Sequence, residues 1–517
     1  MVLGETLGET LAHQARLNPA GEALVCGAAR LTWGALNART NRLANALLAL
    51  GARRGDRVLL LLGNGIVFVE AYYALAKIGC ISAPVVPRSL AADVAAIAAS
   101  LRPRFVIAEA GAARLLAEIG DGLASVEATI GVGPGHGLPV DYDTITAEAA
   151  AGEPGAAVAP DDLLTVKFTS GTTGTAKGCL RSHRNFVMAA LVTCLELPLG
   201  ERDSALIATP LAAGMGISQV TMLILKGVRI VLMEKFEPGA WLELVERERP
   251  TLGYLMDLLA RRIYAHPRFA EADLASLRLV HGLQARDVLD RWLGQPSFRA
   301  ELSFGFASSE CGGLVTIKTP DDYRRGLADP HLAHLLDSSG REAPLCRVAC
   351  LDDELRPVAT GEVGELAVRA PSVFRGYWER PEETAQTLRG GWLLTGDLAH
   401  QDETGYVYLR GRKRDMIKSG GISVYPAEIE PVLLAHPKVR EVAVVGLPDP
   451  DWGERVVACV VAREPCAEAE LIAWCEGRLA PFKRPKSVAF FEALPVNEAG
   501  KIVKTEIVRR LARDGCR

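Results

Sequence analysis

The chain has 517 residues, of which 49% are hydrophobic and 23% charged, and its formal net charge is −4. This length exceeds one typical core, so two or more domains are expected. The small net charge gives no reason to expect a nucleic acid as a partner. The eleven cysteines are scattered without a C-x-x-C pair, which favours a reducing cytoplasm over a disulfide framework or a metal site.

Two features bear on membranes and export. The first residues, Met1 to Glu5, show neither the basic nor the apolar region of an export signal, so none is expected. A very apolar stretch spans residues 58–86, but Asn64, Glu70 and Lys77 interrupt it with groups that would be costly in lipid. We therefore expect no membrane insertion. The stretch predicts a strand at 57–62, a buried helix at 67–78 and a second strand at 81–86.

Alternation of strands and helices continues through the first 300 residues. Further strands are predicted at 105–108, 163–168, 204–208 and 229–233, with a loop at 131–137. Strands separated by helical segments indicate βαβ units and largely parallel sheets. Residues 346–370 have shorter strand patterns with Gly and Asp turns, typical of a smaller antiparallel part. A charged cluster after Arg410 precedes an independent pattern of short strands and helices, so we expect a domain boundary there.

The predicted strand at 163–168 runs into a glycine- and hydroxyl-rich loop with the sequence Thr169-Ser170-Gly171-Thr172-Thr173-Gly174-Thr175-Ala176-Lys177-Gly178. Glycines allow backbone amides to approach an anion closely, while hydroxyls and a lysine add donors to phosphate. A flexible surface loop is the alternative. A Walker A loop is excluded, because Ala176 stands where that motif needs glycine and Gly178 stands where it needs a hydroxyl.

Phe168 to Gly178 resembles the [YF]-T-S-G-T-T-G-x-P-K-G signature of the acyl-adenylate-forming superfamily, which includes acyl-CoA synthetases, peptide-synthetase adenylation domains and luciferases. Ala176 replaces the usual proline and removes no ligand. The resemblance implies that the loop binds the phosphates of ATP. The residues assigned to that role are Thr169, Ser170, Gly171, Thr172, Thr173, Gly174 and Lys177.

Two later segments match further motifs of this family. Phe306-Ala307-Ser308-Ser309-Glu310 resembles its aromatic-G-x-T-E segment, which implies that Phe306 stacks on adenine, Ser309 contacts the α-phosphate and Glu310 binds Mg²⁺. One carboxylate is sufficient for Mg²⁺ that also binds phosphate oxygens. Thr395-Gly396-Asp397 matches the T-G-D motif, so Asp397 is assigned to the ribose. Arg412 is assigned to a second ribose or phosphate contact.

The C-terminal region carries the family's remaining motifs. Arg414 stands at the hinge position, and for Lys413 we expect a solvated basic turn. Residues 495–502 match P-x-x-x-x-G-K-[IV], which implies that Lys501 is the catalytic lysine. The resemblance runs from about Leu31 to Lys504. It implies an α/β fold with a large N-terminal domain (1–411) of parallel αβ layers plus a small antiparallel or barrel part, a hinge (412–415) and a small mobile α+β C-terminal domain (416–517).

Several residues of the C-terminal region favour coenzyme A as the thiol. Lys418, Ser419, Gly420 and Gly421 resemble the pantetheine tunnel of chlorobenzoate–CoA ligase and its relatives. Trp452 matches a tryptophan that stacks on CoA adenine there, and Arg484 and Lys486 are assigned to the CoA phosphates. Stacking plus paired cations suits a nucleotide tail, which a carrier protein lacks. The alternative for Trp452 is a packing residue.

The acid is less well defined by the sequence. Where relatives often have an aromatic residue and a histidine that gate the acyl pocket, this chain has Ala212 and Ala213, followed by Gly214. No aspartate is present for an α-ammonium, so an amino acid is not expected. The small residues suggest a bulky acid, unless other side chains fill the space. A second departure at 282–285 replaces the family's G-G-A-P-like turn and is expected to alter adenine contacts.

The sequence thus predicts a cytoplasmic enzyme, an ATP-dependent, AMP-forming acyl-CoA synthetase that uses Mg²⁺ and CoA on a small-molecule carboxylic acid. A homodimer is kept as an expectation. One alternative is an acyl-AMP ligase that loads a carrier protein, which CoA-dependent AMP release would distinguish. The other is a non-catalytic nucleotide-binding relative. The presence of Lys501, Glu310 and Asp397 speaks against that loss of activity.

Overall fold

The computed structural model describes residues 5–169, 177–496 and 502–513. They divide into two compact units, one formed by residues 1–348 with 368–393 and the other by residues 349–367 with 394–517. None of the described helices has the length and apolar character needed to span a bilayer.

The helices and strands have the following bounds. The helices are α1 (Leu7–Leu17), α2 (Trp33–Ala49), α3 (Ile66–Ile78), α4 (Ala91–Leu101), α5 (Ala113–Ile119), α6 (Tyr142–Glu148), α7 (His183–Glu196), α8 (Met215–Leu225), α9 (Pro238–Glu248), α10 (Asp257–Tyr264), α11 (Arg286–Leu293), α12 (Pro320–Ala328), α13 (Pro381–Thr387), α14 (Pro426–Leu434), α15 (Glu468–Trp474) and α16 (Lys504–Arg513). The strands are β1 (Glu22–Cys26), β2 (Ala29–Thr32), β3 (Arg57–Leu61), β4 (Ile81–Pro84), β5 (Phe105–Glu109), β6 (Ala128–Val132), β7 (Val140–Asp141), β8 (Leu163–Thr169), β9 (Lys177–Ser182), β10 (Ser204–Ile207), β11 (Arg229–Leu232), β12 (Leu252–Tyr254), β13 (Leu279–His281), β14 (Glu301–Ser303), β15 (Thr316–Ile317), β16 (Arg341–Glu342), β17 (Arg347–Leu351), β18 (Gly364–Arg369), β19 (Gly376–Tyr377), β20 (Leu388–Arg389), β21 (Trp392–Gln401), β22 (Val407–Arg412), β23 (Ile417–Ser419), β24 (Ile422–Val424), β25 (Val439–Asp449), β26 (Gly453–Ala462) and β27 (Ser487–Phe490).

The first unit is built on two large sheets. One has the order β19-β9-β8-β4-β3-β5-β6-β7, parallel from β8 to β7, with β9 and β19 added antiparallel at one edge. The other has the order β14-β13-β12-β10-β11-β1-β2, parallel except for β2. The predicted α/β class with parallel sheets is confirmed.

Alternating side chains of the strands fill separate cores on the two faces of each sheet. Val58 and Leu60 of β3 join the core that contains residues of α1, α2, α3, α7 and α8 and of both sheets. Leu59 and Leu61 point to the opposite core, against α4 and α5. A third core covers the other face of the second sheet with α9 to α12. Burying each such leucine stabilises the fold by roughly 1.5–3 kcal/mol. With helices between the two sheets and on the outer face of each, the unit has five layers in the order α/β/α/β/α.

Two predicted element bounds need correction. The strand expected at 81–86 ends at Pro84. The loop expected at 131–137 begins later, because β6 includes Gly131 and Val132, which pair with Ala108 and Glu109 of β5. The continuous hydrogen-bond ladder with β5 outweighs the turn preference of the glycine there.

The second unit contains shorter strands. Its segments 349–367 and 394–412 contribute to one sheet, in which β21 and β22 pair antiparallel from Asp397 to Gln401. A second sheet has the order β24-β23-β26-β25, with β27 parallel to β26. One face of this sheet packs against α14 and α15 and the other against α16. The turn of its long hairpin, between Asp449 and Gly453, contains Trp452.

Candidate active site

The three outermost strands at one end of the eight-stranded sheet, β19, β9 and β8, place a row of side chains on one face. Lys167 of β8 is opposite Cys179 of β9, which in turn is opposite Tyr377 of β19. Directly opposed residues of antiparallel strands point to the same side of a sheet. The two ends of this row contact consecutive residues of one loop, since Lys167 Nζ lies 3.1 Å from Ser309 Oγ and Tyr377 Oη lies 2.9 Å from Glu310 Oε1.

The loop that carries Ser309 and Glu310 follows β14 and is held by its own backbone. The Phe306 N–H donates to Thr316 Oγ1 at 3.1 Å, and the Glu310 carbonyl accepts the Phe374 N–H at 2.9 Å. Gly312 has φ +78°, and a Cβ there would lie 2.1 Å from the Ser372 carbonyl oxygen, so only glycine fits. The loop therefore presents its two side chains in a fixed direction. The Phe306 side chain is buried.

The hydrogen-bond directions at the row define what each group can still do. An ammonium only donates, so Ser309 Oγ accepts from Lys167 and keeps its own O–H as a donor, as a contact to a phosphate oxygen requires. Burial, and after it the Glu310 charge, raises the pKa of Tyr377 well above its usual range, so its hydroxyl stays protonated and donates to the carboxylate. A carboxylate oriented by such a bond suits Mg²⁺, which prefers oxygen ligands.

Two more residues lie next to the row. Lys177 Nζ lies 5.2 Å from the centre of the Tyr377 ring, which is a cation–π contact. Lys177 is therefore next to the tyrosine whose hydroxyl donates to Glu310. Burial, followed by the charge of Glu310, raises the pKa of the Cys179 thiol well above its usual range. Cys179 is therefore a neutral thiol and not a nucleophile.

The segment predicted to line the acyl pocket lies beside Lys167. Gly214 has φ +88°, and a Cβ there would lie 2.5 Å from Lys167 Nζ. Part of the space next to Gly214 is therefore filled by the lysine, as the alternative interpretation of the small residues anticipates. Ala212 is buried and belongs to the core between the two sheets, whereas Ala213 is half-buried.

The predicted adenine turn at 282–285 is tied to the interior. Gln284 Oε1 accepts from Lys318 Nζ at 2.8 Å, and Gln284 Nε2 donates to the Ser338 carbonyl at 3.2 Å. Lys318 is completely buried, and burial lowers its pKa to about 7. Lys318 Nζ also donates to the Leu336 carbonyl at 2.7 Å. The side chain of Gln284 therefore braces the turn.

In the second unit, the two predicted ribose contacts lie side by side. Asp397 and Arg412 are opposed in the β21–β22 pair, and Arg412 Nε lies 3.0 Å from Asp397 Oδ1. Asp397 is only 7% exposed. The neighbouring Lys413, expected in a solvated basic turn, is exposed on the short turn Lys413–Asp415, and its Nζ lies 2.8 Å from Asp353 and 3.0 Å from Glu365. Arg414 follows on a short turn and is half-exposed.

The residues predicted to bind CoA are only partly brought together. A Cβ at Gly420 would lie 3.1 Å from the Trp452 ring, and Lys486 Nζ lies 4.6 Å from the centre of that ring. Trp452 is 41% exposed, which argues against the packing alternative. Arg484 instead donates to the Leu479 carbonyl at 3.1 Å and lies 3.7 Å from Glu476.

Three further residues predicted to bind CoA lie in the same unit. Lys418 Nζ donates to Ser423 Oγ at 3.0 Å, Ser419 is buried, and Gly421 has a positive φ of +79°. The predicted ATP-phosphate residues Ser170, Gly171, Thr172, Thr173 and Gly174, together with the predicted catalytic Lys501, lie outside the described residues. For Thr169 only the backbone is described, as the last residue of β8.

Two family models match the chain. Residues 11–378 match the AMP-binding enzyme family and residues 428–501 match the AMP-binding enzyme C-terminal domain. The chain belongs to the AMP-binding enzyme family. The family predicted from the motifs is confirmed, as is the predicted class of enzyme, an AMP-forming acid–thiol ligase.

Individual relatives of this AMP-binding enzyme match over nearly their whole length. Feruloyl-CoA synthase from Amycolatopsis sp is 36% identical over 98% of this chain and 99% of its own. The long-chain-fatty-acid–CoA ligase FadD13 of Mycobacterium tuberculosis is 33% identical over 97% of both chains. The structure of the anthranilate CoA ligase AuaEII in complex with anthranoyl-AMP superimposes with a TM-score of 0.90 at 25% identity, covering 100% of this chain and 99% of that one.

The motifs of this AMP-binding enzyme did not point to Lys167 or Tyr377. Lys167 carried a signal in the sequence, because it is a charged residue inside a strand predicted to be buried. Tyr377 carried none, since it lies far along the chain and is brought to Glu310 only by the pairing of β19 with β9.

Proposed function

We propose that this enzyme is an ATP-dependent, AMP-forming acyl-CoA synthetase for a carboxylic acid that is not an amino acid. The observation that carries the proposal is the Ser309–Glu310 pair, which offers one hydroxyl donor and one oriented carboxylate in a chain similar over its full length to CoA ligases. Its substrates are the acid, ATP and CoA, with Mg²⁺ as the metal.

The first half-reaction joins the acid to AMP. A carboxylate oxygen forms a bond to the α-phosphorus, and the bond from that phosphorus to the pyrophosphate oxygen breaks. Ser309 donates its O–H to an α-phosphate oxygen, Lys177 neutralises departing phosphate charge and Glu310 holds the metal. Mg²⁺ there supplies positive charge to the phosphate oxygens. Such preorganised donors act mainly on the charge that develops in the transition state.

The remaining predicted residues complete the adenylate site in this proposal. Phe306 and the turn at 282–285 bind adenine, the loop 169–174 binds phosphates, Asp397 and Arg412 bind the ribose, and Lys501 stabilises the charge of adenylation. In the second half-reaction the CoA thiol loses its proton to solvent, its sulfur forms a bond to the acyl carbon, and the bond from that carbon to the AMP oxygen breaks. The domains 1–411 and 416–517, with Arg414 in the hinge, are retained as part of the proposal.

Coenzyme A is the proposed thiol. The exposed Trp452 ring, with Lys486 4.6 Å from its centre, offers stacking and positive charge to a nucleotide tail. Gly420 packs against that ring, and Gly420 is flanked in the sequence by Lys418, Ser419 and Gly421. Arg484 joins the CoA site in the proposal although it lies near Glu476.

For the acid we propose a bulky or extended apolar molecule. Curated relatives are named for ferulate and for long-chain fatty acids, both larger than acetate. The half-buried Ala213 occupies less space than the large side chains found there in relatives, although Lys167 fills part of the space next to Gly214. We also propose a reducing cytoplasm as the compartment, since ten cysteines in the described ranges are free thiols, and a homodimer as the assembly.

The experiment is a panel of carboxylic acids incubated with ATP, Mg²⁺ and CoA, with AMP release as the signal. The panel contains ferulate, indole-3-acetate, decanoate and an amino acid such as phenylalanine. We expect AMP release with at least one apolar acid that depends on both acid and CoA, and none with phenylalanine. If a phosphopantetheinyl carrier protein replaces CoA and CoA itself is inactive, the enzyme is instead a carrier-loading ligase. Sedimentation of the purified chain tests the homodimer.

A further inference from the structure

Lys167 is a lysine inside a strand whose neighbouring residues are apolar. Leu164 and Val166 of β8 are completely buried, while Lys167 is half-buried and extends towards the loop after β14. Its Nζ donates to Ser309 Oγ at 3.1 Å. The outer part of its side chain lies where a Cβ on Gly214 would stand, 2.5 Å from Nζ and 2.7 Å from Cε.

These two contacts place the Lys167 ammonium between the proposed phosphate contact at Ser309 and the proposed acyl pocket at Gly214. Ser309 is the proposed donor to the α-phosphate, and Gly214 belongs to the proposed acyl pocket. The reacting carboxylate has to lie between these two places, because one of its oxygens must stand about 3–3.5 Å from the α-phosphorus while its carbon chain enters the pocket. Because the Lys167 ammonium lies next to both Ser309 and Gly214, it is near the position that the carboxylate must occupy.

We propose that Lys167 binds the carboxylate of the incoming acid and orients it for attack on the α-phosphorus. This assignment rests on the proposed adenylation reaction. The ammonium donates to the oxygen that does not attack, so the other oxygen keeps its lone pair for phosphorus. The same ammonium holds Ser309 Oγ as an acceptor and so directs the serine proton towards the phosphate. No bond to Lys167 forms or breaks.

The assignment has a consequence for specificity. An ammonium stabilises an ionised carboxylate more than a neutral amide of the same shape, since a charged acceptor strengthens the hydrogen bond. Removing the ammonium should then weaken binding of the acid by about ten- to a hundredfold, the usual range for a charged hydrogen bond. Binding of the amide should change much less.

The test compares ferulate with its primary amide on the wild type and on Lys167→Met, which keeps length and loses charge. We measure KM for ferulate from CoA-dependent AMP release and Ki of the amide as a competitive inhibitor. The expected result is a KM for ferulate about tenfold or more higher, with the Ki of the amide nearly unchanged. Lys226→Met, at the C-terminal end of α8, is the matched control and should alter neither value.

Two further variants separate charge from folding. Lys167→Arg keeps a positive charge and should retain part of the preference for the acid over the amide. Gly214→Ala keeps the lysine but places a methyl group against its Nζ, so it should reduce the same preference. Circular dichroism checks that each variant is folded. If Lys167→Met does not fold, the preference of Lys167→Arg for the acid over the amide tests the proposal instead.

The proposal is overturned if Lys167→Met changes KM of the acid and Ki of the amide by the same factor, or changes neither. It also falls if Lys167→Arg behaves like Lys167→Met. A wild type that releases no AMP with ferulate, indole-3-acetate or decanoate overturns the proposed function itself, and the Lys167 assignment falls with it. An active wild type with an indifferent Lys167 overturns the assignment alone.

Discussion

The hydroxyl of Tyr377 donates a hydrogen bond to Oε1 of Glu310 over 2.9 Å. The two residues are 67 positions apart and meet because β19 pairs with β9 at the edge of the large sheet. Partners of this kind fix the direction of a metal-binding carboxylate. The contact makes Tyr377 a positioning residue for the proposed Mg²⁺ site.

Replacing Tyr377 by phenylalanine should therefore weaken the use of Mg²⁺ while the ring remains in place. Loss of such a partner typically costs about 10–100-fold in metal affinity or activity. We expect acid-dependent pyrophosphate exchange to need about tenfold more Mg²⁺. Tyr408→Phe, which removes a hydroxyl bonded to Asp402 in the other unit, is the control. An unchanged Mg²⁺ dependence in Tyr377→Phe would show that the contact is only structural.

Lys501→Ala should separate the two half-reactions. If Lys501 acts on the charge that develops during adenylation, its loss should slow acyl-adenylate formation by roughly 10²–10³-fold, as for one preorganised donor. Thioester formation from a supplied acyl-adenylate should continue. Lys504→Ala provides the control, since Lys504 pairs with Glu430. Equal losses in both half-reactions would contradict this role.

The region around Trp452 allows a sharper prediction than the sequence did. Trp452→Ala and Lys486→Met should each raise KM for CoA by about tenfold, because they remove the exposed ring and the cation above it. Arg484→Ala should have a smaller effect, since Arg484 lies near Glu476. Pyrophosphate exchange, which needs no CoA, is the internal control. A change in exchange as large as the change in KM would contradict a CoA role.

The two alanines of the acyl segment should behave differently. Ala212 is buried in the core, so Ala212→Phe should lower the free energy of unfolding by about 1–3 kcal/mol through overpacking. Ala213 is half-buried, so Ala213→His should reduce kcat/KM for ferulate by about tenfold or more and spare a short linear acid such as butyrate. Denaturant unfolding and parallel kinetics measure both effects. A uniform loss over all acids would remove the pocket argument.

Burial of Lys318 predicts a pH dependence of stability. Its pKa is about 7 in the folded chain and close to 10.5 when unfolded, so between these values the unfolded state binds more protons. Stability should therefore rise with pH through that window, by at most about 1.4 kcal/mol per pH unit from this group, and the cost of burial should be complete below pH about 7. Lys318→Met should flatten the rise in urea unfolding between pH 7 and 9. An unchanged slope would contradict the shift.

The sequence predicted what local patterns determine. Residues 57–62 and 67–78 formed a strand and a helix within one residue of the expected ends, because periodicity and Gly79 define them within a short window. Contacts that depend on strand register were not predictable. Tyr377 reaches Glu310 through two antiparallel pairings, and Lys413 reaches Asp353 across 60 positions. Among the site residues that the motifs did not indicate, Lys167 had a signal in the sequence, because it is a lysine in a strand expected to be buried.

The most direct test of the central claim follows the carboxylate oxygens of the acid into the products of the reaction. A carboxylic acid labelled with oxygen-18 in both carboxylate positions is converted with ATP, Mg²⁺ and CoA, and the products are analysed by mass spectrometry. Attack of the carboxylate on the α-phosphorus predicts that the AMP carries one labelled oxygen and the acyl-CoA retains the other. Label in inorganic phosphate with ADP as product, or AMP without label, would contradict an acyl-adenylate route.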